Sequence, residues 1–194
     1  MNINKWLLGI LLIITSTLHS QNVIVAQEFF ENKSHTFSST NMWRITKDYS
    51  FAGKSAIWGS VPHYNGDSIV LTTPIYDFTN YSNVLLRFYH ICKVSPSDEV
   101  RIEFRIDLLG QAGQWKPLPF ASYEGNAKNY NTRGFNSDSY EEWKSEDSTI
   151  LPEENWWKQE CFDLSNYVSY DKAQFRFIIK KKNQTSDILP QRAY

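Results

Sequence analysis

The sequence predicts an all-β fold, an antiparallel β-sandwich of the jelly-roll kind. Three observations carry this. Apolar and polar residues alternate with a period of two over several short runs, and no helical spacing persists over a dozen residues. Turn signals such as Gly53 and Asn65-Gly66-Asp67 separate those runs. Aromatic residues make up 15% of the 194, with 7 Trp, 11 Tyr and 12 Phe, the payload that small layered β domains bury and display.

The elements follow in order. Residues 1–20 (MNINKWLLGILLIITSTLHS) place Lys5 before an apolar run from Trp6 to Ile14 and end at the small residue Ser20, the order of a secretory signal peptide. The run is short for a bilayer span, so a signal is preferred to an anchor, and 21–194 reads as one exported domain with no later membrane span. Val23–Phe30 is an apolar opening. Ser55–Ser60 and Ser68–Pro74 are short strands on either side of the 65–67 turn. Asn83–Val94 is the strongest strand, with Leu86, Phe88, His90 and Cys92 on the core row. Glu99–Asp107 sets Val100, Ile102, Phe104 and Ile106 inward and Arg101, Glu103 and Arg105 toward water. Trp157–Leu164 and Ala173–Lys180 repeat the pattern. Between them, 120–155 is rich in Asn, Ser, Gly, Tyr and Glu and poor in aliphatics, and it reads as a long aromatic insertion.

Charge and chemistry narrow the function. Twenty basic against 21 acidic residues leave no excess that would favour nucleic acid. Zinc-binding His spacing, a nucleophile elbow and a phosphate-cradling glycine loop are all absent from the sequence. Adjacent acids such as Glu141-Glu142 suit a solvated surface better than a glycosidase pair, and His90 on a core row suits a hydrogen-bonded core histidine. The expectation is a non-enzyme. Two cysteines in an exported chain, Cys92 and Cys161, fit one disulfide or two buried thiols; the bridge is the preferred reading.

The order AQEFFE, Trp43, GKSAIWGS, LTTPIYDFTNY, VLLRFYHICKV, DEVRIEFRID, GQW, WWKQECFDLSNY and AQFRFIIKK resembles jelly-roll modules of the MAM, reelin-repeat and bacterial cleaved-adhesin type. It is especially similar to versions on secreted proteins of the Bacteroidetes group. The likeness spans most of 26–182 and implies the sandwich. It also implies a closing aromatic-acidic strand, which would begin where Ile188–Tyr194 stands, so that either the sequence given is cut short or this member has lost the strand. Jelly rolls of this type often clamp their opening segment with calcium. Glu28 and Glu31 match that opening position and Asp67 precedes LTTP, so these three are the implied ligands, against the reading of ordinary solvated carboxylates.

Binding has the stronger support. Tyr130, Trp143, Trp156 and Trp157, in or beside the insertion, are the expected contact residues, because rigid Tyr and Trp rings dominate binding hot spots. The competing reading is that such rings cap the core. The expected function is a non-catalytic secreted or cell-surface module, in contact with an envelope or surface protein or acting in adhesion. The alternative is a polysaccharide-binding accessory domain of a longer secreted hydrolase. A third reading is a structural domain completed by a strand from another chain.

Overall fold

The computed structural model describes residues 24, 26–31, 36–40, 42–64, 66–107, 110–130, 134–143, 152–182 and 192–193. The expected signal segment 1–20 lies outside them. Antiparallel sheets dominate, and no helix among the described residues reaches seven residues.

Among the described residues eleven strands form: β1 (Ser38–Ser39), β2 (Trp43–Thr46), β3 (Ala56–Ser60), β4 (Ser68–Thr72), β5 (Leu85–His90), β6 (Cys92–Lys93), β7 (Glu99–Ile106), β8 (Lys116–Pro117), β9 (Lys158–Asp163), β10 (Ala173–Lys180) and β11 (Arg192–Ala193). One sheet has the order β1-β4-β10-β7-β8. Opposite it lie β2-β3-β11-β6 and the pair β5-β9, joined through the run in which only Ile91 separates β5 from β6. The two layers meet at Phe88 on β5, edge-on to Phe177 of β10 with centroids 5.2 Å apart. Ile102, Phe104, Phe162, Phe175 and Ile179 fill the space between them.

The long strands lie where alternation placed them, and β10 spans the whole expected range. The wet face of β7 is different. Glu103 is only 3% exposed, because Arg176 reaches its Oε2 through Nη2 at 2.5 Å and Arg101 reaches its Oε1 through Nη2 at 2.6 Å. Trp115 lies against the guanidinium groups of Arg105 and Arg176, 4.8 and 4.5 Å from its ring centre. Paired charges under an aromatic cover thus replace water on that face.

One further expectation is corrected. Cys92 and Cys161 are free thiols, not a bridge. Cys92 is buried on β6, whereas Cys161 is half-buried on β9, in register with Arg87 and beside Glu124. A two-residue strand stands where the closing strand would begin: Arg192–Ala193 pairs with Gly59–Ser60 of β3 on one side and Cys92–Lys93 of β6 on the other. The opening residues 26–31 form no strand.

A buried carboxylate hub and an outer aromatic patch

Glu160 belongs to the inward row of β9, one position of alternation from Phe162, and both are fully buried. An unpaired carboxylate there would be expensive. Its lone pairs are taken up by three side chains from separate parts of the chain. Tyr123 donates its hydroxyl to Oε2 at 2.5 Å, Tyr140 donates to Oε1 at 2.9 Å, and His90 Nε2 lies 3.0 Å from Oε1. The Tyr123 oxygen in turn accepts the Ala127 amide at 2.8 Å. His90 sits in this place because β5 and β9 pair with Phe88 opposite Glu160, which sets the imidazole on the adjacent inward position.

The hub holds the described residues 120–130 and 134–143, whose regular structure includes the short 3-10 turns Phe120–Ser122 and Glu141–Trp143. Tyr123 and Tyr140 hydrogen-bond Glu160 from either end of the stretch, and aromatic rings pack around it. His90 meets Phe135 and Trp143 edge-on, at 4.6 and 4.9 Å, and Tyr130 lies 4.7 Å from Phe135. Backbone bonds add to this, with the Phe135 amide on Val100 O and the Ser137 amide on Val94 O, both at 2.8 Å. Gly125 passes so close that a Cβ would collide with Glu160 Oε2 and the Tyr123 hydroxyl. Burial, with the Glu160 charge beside them, pushes the Tyr123, Tyr130 and Tyr140 hydroxyls well above the usual phenol range.

Three of the four expected contact rings are therefore core. Tyr130 is 8% exposed, Trp143 0% and Trp156 6%. Trp143 donates its indole N–H to the Trp156 carbonyl at 2.7 Å, and the buried Lys93 places its ammonium 3.9 Å from the Trp156 ring centre. Rings enclosed in this way have no free face for a ligand. Composition could not separate the two cases, since hot-spot and core rings are the same residues. The missed signal was Glu160 itself, an acid in phase with Phe162 and across from Phe88, one inward position from His90.

Trp157 is the exception. It is half-buried and borders the outer face of β5–β9, where Phe51 stacks on Tyr89 with centroids 3.6 Å apart and planes 10° from parallel. Trp157 is 6.2 Å from Phe51. Phe51 is 47% exposed, while Tyr89 and Leu85 of the same strand are each 41% exposed, and Arg87 between them is exposed too. The patch exists because the outward row of β5 carries large residues and Phe51 reaches it from the loop before β3. Nothing in the sequence around Phe51 marked it.

The implied calcium ligands do not assemble. Glu28 accepts the Phe30 amide at 2.6 Å within its own loop, and Glu31 accepts the Lys54 amide at 2.5 Å, tying the opening segment to the loop before β3. Asp67 lies at the turn before β4, its carbonyl bonded to the Lys181 amide. Among the described residues no three His, Cys, Asp or Glu side chains gather as a metal group. Both thiols are held neutral. Burial raises the Cys92 thiol strongly, and burial with the Glu124 carboxylate raises Cys161. No helix among the described residues is long and apolar enough to cross a membrane. No protein-family model matches the chain, and no curated protein matches it.

Proposed function

We propose that this chain is a non-catalytic binding module, secreted or at the cell surface, which meets a partner protein through the outer aromatic patch of β5–β9. The observation that carries the reading is the Phe51–Tyr89 stack, two large rings fixed face to face and each nearly half exposed. Held rings lose little freedom on binding and offer wide apolar area, and Tyr, Trp and Arg are the residues that concentrate binding energy. Tyr89, Trp157 and Arg87 stand together here. Against catalysis weighs the hub: the Glu160 carboxylate is enclosed, and the three side chains that bond it are structural partners. The resemblance to MAM and cleaved-adhesin modules agrees with this reading and forms part of the proposal.

The flat outward pair also suits a sugar ring, which makes a glycan-binding accessory domain the second reading. The Phe51→Ala, Tyr89→Ala double variant tests the patch in either case. The stacked pair itself contributes about 0.5–1.5 kcal/mol, so the variant still folds. It is expected to lose the protein partners that the parent captures from an envelope fraction, or retention on polysaccharide if a glycan is the ligand. Undiminished capture and retention by a folded double variant would remove the patch from the account.

A further inference from the structure

The outer face of β5–β9 carries opposite charges on either side of one residue. Glu160 and Phe162 point inward, so Cys161 between them points outward, and β5 sets Arg87 directly across from it. On the other edge of β9 the Glu124 amide donates to Cys161 O at 2.9 Å, and the thiol lies 3.6 Å from Glu124 Oε2. Arg87, Cys161 and Glu124 therefore form a row across the strands, a cation and an anion with a small thiol between them. Both charged residues are exposed. Among the described residues Arg87 ion-pairs with no carboxylate and Glu124 with no cation, and the polar contacts of both are with described residues.

Apolar area flanks the row. Of the eight large hydrophobic side chains exposed among the described residues, Phe51, Leu85 and Tyr89 gather on this face, a concentration that marks a contact surface. The face is also complementary to itself. When two sheets pack face to face, the two-fold axis of the pair lies in the plane between them. An axis parallel to β9 that passes over Cys161 turns each Arg87 onto the Glu124 of the other copy, twice over, and each Cys161 onto its twin. The same rotation carries the Phe51–Tyr89 stack of each copy across β9, to the side where Gly125 of the other copy leaves room for it.

We propose that this face is the contact of a homodimer, in which two copies of the chain pack β5–β9 against β5–β9 about that axis. The inference rests on the patch reading above and names its partner, a second copy. An unrelated protein would have to supply both counter-charges in the same order, whereas this chain already carries them. The paired charges set the register of the two copies, and the rings around them exclude water.

Charge reversal tests the proposal on the chain purified from its own host. Sedimentation velocity over a dilution series is expected to show a monomer–dimer equilibrium. Arg87→Glu and Glu124→Arg change exposed side chains outside the core, so both variants fold. Each is expected to weaken self-association at least about tenfold, because each sets like charges together twice. Mixed in equal amounts, the two variants are expected to associate about as tightly as the parent, since one then presents two acids at these positions and the other two bases. A chain that stays monomeric at every soluble concentration would overturn the proposal. So would dimers that either reversal leaves unchanged, or an equimolar mixture that does not restore them. In each of those cases the Phe51→Ala, Tyr89→Ala variant separates the two readings. Loss of other proteins captured from the envelope fraction keeps the patch and gives it a different partner, and undiminished capture removes both readings.

Discussion

Glu160 joins three separate segments of the described structure. It ties β9 to β5 through His90 and to both ends of the 120–143 stretch through Tyr123 and Tyr140. Replacing it with Leu leaves two buried hydroxyls and an imidazole without their acceptor. Loss of one partner from a buried charged network costs about 3–5 kcal/mol, and Glu160→Leu is expected to fall in that range in urea unfolding. The raised tyrosines give a second residue-level prediction. In the unfolded chain tyrosines ionise near pH 10, whereas Tyr123, Tyr130 and Tyr140 keep their protons in the fold. The folded state then binds more protons than the unfolded one, so this contribution is fully present below about pH 10 and is lost as pH rises further. Unfolding free energies measured across that range should decline, and tyrosinate absorbance should lag in the native protein. The sequence held the clue to the hub, an acid in phase with Phe162 on β9. It could not disclose the two tyrosines, which come from a stretch with no periodicity to place them.

Elements were legible in proportion to their length and the contrast between their faces. β5, β7, β9 and β10 each run long enough for alternation to show, and all four lie within the ranges it marked. β1, β8 and β11 are two residues each, too short for any period, and exist because a neighbouring edge recruits them. Glu103 was misplaced because alternation reports direction and not cover: it points away from the core, yet Arg101, Arg176 and the nearby Trp115 close over that face. The 120–143 stretch was misjudged in the same way. Its rings are packing, so Trp143→Ala is expected to destabilise the fold by about 3–5 kcal/mol, as deletion of a buried Trp does. A thermal melt unchanged by that substitution would contradict the assignment of this stretch to the core.

At the scale of the whole molecule, the described structure sorts its aromatic residues into two populations. One is gathered around Glu160 and holds the layers and the irregular stretch together. The other, Phe51 with Tyr89 and Trp157, stays at the surface of β5–β9. Sequence composition showed how many rings there are and left their sorting to the fold. Contact at the second population is the central claim. The most direct measurement is photo-crosslinking in the protein's own host, with benzoylphenylalanine substituted at Phe51 in one variant and at Tyr64 in another. Tyr64 is the control because it is more exposed, at 76%, and lies in the loop leading to β4. The account predicts a discrete adduct from position 51 and none from position 64. Equal adducts from both positions, or an adduct from position 64 alone, would contradict it.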